Sequence, residues 1–60
     1  MSTTWARVSF CNEGGELDHR LVRGHEGDDL EAGITEAALE MIREAGHLSI
    51  GDTIKVRQHD

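Results

Sequence analysis

Sixty residues carry twelve acids against six bases, a formal charge of −6, in a chain too short for more than one domain or for a deep substrate cavity. A chain of this size buries only about 60% of its unfolded surface. Its single cysteine, Cys11, excludes an internal disulfide, so a thin core must be completed by packing, by homodimerisation or by a partner.

From Thr4 to Cys11 the residues alternate, with Ala6, Val8 and Phe10 on one face and Trp5, Arg7 and Ser9 on the other. This period of two predicts a half-buried strand. Asn12-Glu13-Gly14-Gly15 reads as a turn. Glu16 to Arg23 resumes the alternation with Leu17, His19 and Leu21 on one side. A four-residue loop predicts a hairpin that pairs Phe10 with Leu17, Val8 with His19 and Ala6 with Leu21. Slipping by one residue would set Phe10 against Asp18, which the apolar pattern disfavours.

Gly24 to Gly33 is an acidic, glycine-punctuated stretch. Thr35 fits a helix N-cap, with Ile34 and Leu39 at the spacing of a hydrophobic staple. Leu30, Ile34, Ala38, Met41 and Ala45 also fit a single longer helix, at a cost of about 1 kcal/mol for an interior Gly33. The helix therefore starts near Asp28 or near Thr35, and Gly46 suits the left-handed position beyond its end. Ile50-Gly51-Asp52 is a turn into a last strand, Thr53 to Gln58, with Ile54 and Val56 inward. The order is β-β-α-β, an α+β fold: one helix packed on a three-stranded, mostly antiparallel sheet as a single domain over residues 1–60.

The charge is not spread evenly. Between Gly24 and Glu44 lie seven acids, Glu26, Asp28, Asp29, Glu31, Glu36, Glu40 and Glu44, and one base, Arg43. The rest of the chain has five acids and five bases and sums to zero. Glu36, Glu40 and Glu44 are four apart, which aligns them on one helical stripe and costs a few tenths of a kcal/mol per pair. Glu44 also sits unfavourably at the negative end of the helix dipole. A solvated helix face is the plain reading of such glutamates. It does not explain why the remainder is neutral. A row of carboxylates resembles a phosphate backbone and suits a basic nucleic-acid groove.

Other chemistry has less support. Glu26 to Glu31 lacks the ligand order of a calcium loop. His19, His25, His47, His59 and Cys11 lack zinc-ligand spacing. There is no nucleophile elbow and no phosphate loop. Gly24-His25-Glu26-Gly27 has the form of a nucleotide-clamping GXXG loop, but its acids repel phosphate. These patterns predict no enzyme, no metal and no cofactor. Trp5 is the one large aromatic on the outer face, suited to covering the sheet or to anchoring an interface. Neither a signal peptide nor a membrane span is predicted, so the expected location is the cytoplasm.

The layout of Ser2-Thr3-Thr4, Gly14-Gly15, the acids from Glu26 to Glu31, the Thr35 helix and Thr53 to Asp60 resembles that of small acidic phage proteins that inhibit CRISPR effectors. The resemblance implies a cytoplasmic inhibitor that occupies a DNA- or RNA-binding surface of a host defence complex. Its partner would be a basic surface of a nucleic-acid-binding protein, without direct nucleic-acid contact. The carriers would be Glu26, Asp28, Asp29, Glu31, Glu36, Glu40 and Glu44, with Trp5 adding specificity. A second, local similarity joins Leu48-Ser49-Ile50-Gly51-Asp52-Thr53-Ile54-Lys55-Val56 to swapped-hairpin antitoxins and transition-state regulators. That resemblance implies a DNA-binding dimer, although the basic loop of those proteins is reduced here to Arg20 and Arg23.

Overall fold

A computed structural model describes residues 3–59; Ser2 and Asp60, at the two ends of the inhibitor-like layout, lie outside them. Strand β1 spans Thr3–Asn12, β2 Gly15–His25, helix α1 Asp28–Ala45 and β3 Thr53–His59. The strands form one antiparallel sheet in the order β2-β1-β3. The helix crosses one face, giving the expected β-β-α-β order and two-layer α+β architecture.

Directly opposed residues of an antiparallel pair share a face. Ala6, Val8 and Phe10 of β1 are buried on the helix side. Val8 and Phe10 pack with Ala37 and Met41 of α1, flanked by Val22, Ile34, Ala38 and Ile54. Leu30, 1% exposed, extends the buried set at the start of the helix.

The hairpin departs from the expected register. The loop is two residues, Glu13 and Gly14, because Asn12 already pairs with Gly15. The Asn12 side chain tightens the turn by accepting from the Gly14 amide at 2.7 Å, and Gly15 supplies the positive φ of 126°. Beyond it a bulge opens between the Phe10 and Cys11 pairings. Cys11 opposes Glu16 and Phe10 opposes Asp18, leaving Leu17 as the extra residue. The slip that the apolar pattern disfavours is therefore the one adopted. Val22 and Gly24 face the helix, together with Asp18 and Arg20. Leu17 and Leu21 are instead 57% and 66% exposed.

Ionic pairing offsets the cost of turning those two charges toward the helix. One guanidinium nitrogen of Arg20 reaches both oxygens of Glu44, at 2.8 and 2.7 Å, and the other reaches Asp18 at 2.8 Å. These bonds raise the Arg20 pKa, Glu44 contributing most and Asp18 next. The Asp18 carboxyl is held below its usual range, first by the His19 amide and then by Arg20.

The longer of the two predicted helices is the one present, starting at Asp28. Thr35 is not its cap. It lies inside the helix, where its hydroxyl donates to the Glu31 carbonyl at 3.0 Å. The N-terminus has no side-chain cap and relies on Asp28, Asp29 and Glu31 in the first turn, placed at the positive end of the dipole. Gly33 is interior because the helix runs close to β2. A Cβ there would stand 2.6 Å from Val22 Cγ1. Gly46 takes the expected left-handed position, φ 86°, and its amide donates to the Ile42 and Arg43 carbonyls.

The helix packs on β1 and β2 and leaves β3 only partly covered: Ile54 is half-buried and Val56 47% exposed. The turn before β3 closes with the Asp52 amide donating to the Ser49 carbonyl at 3.1 Å. Gly51 carries its positive φ of 100°.

Candidate functional site: two surfaces of opposite charge

The helix layer carries the acids. At 3.6 residues per turn, Asp29, Glu36, Glu40 and Glu44 fall within about 80° of one another on the flank nearer β2. That side is identified by the Arg20–Glu44 contact and by the approach of Gly33 to Val22. Asp28 and Glu31 lie on other parts of the helix surface, and Glu26 lies in the preceding turn. All seven are exposed.

Two of the seven have structural work. Glu44 is committed to Arg20, which neutralises the charge that the helix dipole disfavours. Asp29 accepts from the His25 amide at 3.0 Å and ties the end of β2 to the first turn of α1. Glu36 and Glu40 have no such anchor among the described residues, and they define the middle of the stripe.

Trp5 is not part of that surface. It points to the opposite side of the sheet, where the layer rule leaves a face without a helix. The carboxylate stripe and the indole therefore cannot meet one flat partner together. Two neighbouring pairings define the open face. Trp5 opposes Arg23, and Arg7 lies between Leu21 on β2 and Arg57 on β3. One step along, Ser9 lies between His19 and Lys55. Four of the six bases, Arg7, Arg23, Lys55 and Arg57, thus gather on this side.

Glu16 is the acid paired with them, and Glu13 lines the same side. The Arg7 guanidinium reaches Glu16 at 2.8 Å and His19 Nδ1 stands 3.6 Å away. The Ser9 hydroxyl, followed by Arg7 and His19, holds the Glu16 carboxyl below its usual range. Between these rims lies an open trough of about 740 Å³, floored by Ser9 and Cys11 and edged by Arg7, Glu13, Glu16, Lys55 and Arg57. A smaller hollow of about 360 Å³ lies beside Trp5, Leu21 and Arg23.

The grouping on the open face was hidden in the sequence, because its bases come from three strands and are never adjacent in the chain. The alternation of Trp5, Arg7 and Ser9 was the available signal for β1, and Lys55 and Arg57 were the signal for β3. Among the described residues, no three His, Cys, Asp or Glu side chains are placed to hold a metal ion. No helix among them is long and apolar enough to cross a membrane. Comparison with protein-family models, curated proteins and solved structures finds no match to this chain.

Proposed function

We propose that this chain is a non-enzymatic inhibitor, anti-CRISPR-like in action, whose acidic helix docks on a positively charged nucleic-acid groove of its partner. The observation that carries this reading is the exposed carboxylate stripe centred on Glu36 and Glu40. Like charges one turn apart weaken a helix, and among the described residues neither is held in an ion pair that offsets the cost. Glu26, Asp28 and Glu31 widen the field around the start of the helix. Glu44 and Asp29 contribute position more than free charge, since each is tied to β2. A partner groove built for phosphates supplies the complementary potential and steers encounter.

The test uses Glu36→Lys with Glu40→Lys and leaves Glu44 to hold Arg20. Purified CRISPR effector complexes of several types are assayed for target-DNA binding with and without the protein. The wild type is expected to block binding by at least one of them, more strongly at low salt. The double variant should need at least tenfold more protein for the same effect. Inhibition unchanged by the double reversal, or no inhibition of any effector, overturns the reading.

A further inference from the structure

The bare face of the sheet has a composition that folding does not require. Arg7 and Arg57 are directly opposed across β1 and β3, an arrangement in which like charges destabilise a sheet. Lys55 follows two residues before Arg57 on the same side of β3, and Arg23 closes the far corner opposite Trp5. Glu16 offsets one of these charges through Arg7 and Glu13 at the end of the trough offsets a second, leaving a net of about two positive charges on a face three strands wide. The trough between Arg7, Lys55 and Arg57 is open, and small residues form its floor. The molecule as a whole is anionic, yet its acids are concentrated on the helix layer behind the sheet.

We propose that this face binds single-stranded nucleic acid, with phosphates on Arg7, Lys55 and Arg57 and a base lodged in the hollow beside Trp5, Leu21 and Arg23. Charge complementarity selects a polyanion. The planar guanidinium groups that form three of the four bases suit phosphate oxygens and base faces alike. The apolar hollow favours a ligand that carries flat rings between its charges over a plain run of carboxylates. Strands about 4.8 Å apart make the platform roughly 10 Å wide. In a duplex the bases are stacked inside and cannot enter the hollow without being flipped out.

An acidic helix from a second copy is the competing occupant. It would make a head-to-tail contact that leaves a free acidic surface at one end and a free basic surface at the other, and so grows into an open chain. The single-strand reading stands apart from the docking role of the helix and does not depend on it.

Fluorescence anisotropy with a short labelled oligothymidine at low salt tests the proposal, with the matched duplex and polyglutamate as competitors. The single strand is expected to bind, with a log-log salt slope of about −2 for three phosphate contacts. Lys55→Ala with Arg57→Ala, both exposed positions, should weaken it at least tenfold. Glu36→Gln with Glu40→Gln should leave it unchanged or tighten it. Four results overturn the proposal: no binding, binding indifferent to the Lys55 and Arg57 changes, equal competition by polyglutamate, or tighter binding of the duplex. Concentration-dependent growth in light scattering that the Lys55 and Arg57 changes abolish would assign the face to self-association instead.

Discussion

Gly33 shows how one residue can be costly to its own element and necessary to the fold. In an exposed helix, replacing glycine with alanine gains about 1 kcal/mol. Here the new methyl would stand 2.6 Å from Val22 Cγ1, and Val22, branched at Cβ, has little room to turn away. Overpacking costs about 1–3 kcal/mol, so Gly33→Ala is expected to lower Tm by several degrees. Val22→Ala in the same background should recover part of that loss, giving a double-mutant cycle with favourable coupling. A rise in Tm for Gly33→Ala would show that the helix has slack over β2.

Glu16 and Asp18 set a second expectation at the residue scale. Both carboxyls are depressed in the folded protein, by Ser9 and Arg7 in one case and by the His19 amide and Arg20 in the other. A depressed carboxyl contributes stability above its unfolded pKa and loses it as pH falls through the folded value. Tm should therefore show no loss from these two groups near neutral pH and fall below about pH 4. Both groups are exposed, so the effect is small. Glu16→Gln with Asp18→Asn should flatten the acid limb of a melting series; an unchanged limb would show that these contacts do not persist in solution.

At the scale of elements, the hairpin is the instructive case. Alternation identified both strands and the inward face of β1, because Ala6, Val8 and Phe10 are apolar and their neighbours are polar. It misassigned β2, where Leu17 and Leu21 look like core while Arg20 and Asp18 look like surface. The bulge at Leu17 and the long reach of Arg20 to Glu44 reverse that reading. Neither was legible locally, since the partner of Arg20 lies 24 residues further along the chain. The helix was legible as one apolar stripe, but its start was not. Thr35 has the chemistry of a cap and serves as an interior residue, while the true start has no side-chain cap. Deleting Leu17 would close the bulge and preserve every pairing from Phe10–Asp18 to Thr3–His25. That variant is expected to unfold cooperatively with Tm shifted by about 4–8 °C or less. Loss of cooperative folding would show that the bulge is needed to aim Arg20 at the helix.

At the scale of the whole molecule, the charges sort by layer. The acidic block was visible in the chain because it is contiguous; its basic counterpart was not, because β1, β2 and β3 each supply only part of it. Trp5 was recognised as an outward residue, but its separation from the acids became apparent only once the sheet had two distinct sides. The same geometry keeps the two proposed contacts independent. Changes at Glu36 and Glu40 address the helix surface, and changes at Lys55 and Arg57 address the sheet surface, so failure of one leaves the other intact.

The position of β3 at the margin of the sheet has a further consequence. Such a strand offers its outer backbone as a template on which other chains can stack into fibres. If two copies joined antiparallel about a two-fold axis at Val56, Lys55 of each would stand against Arg57 of the other, a repulsive register. Lys55 and Arg57 would thereby also disfavour that edge-to-edge stacking of β3.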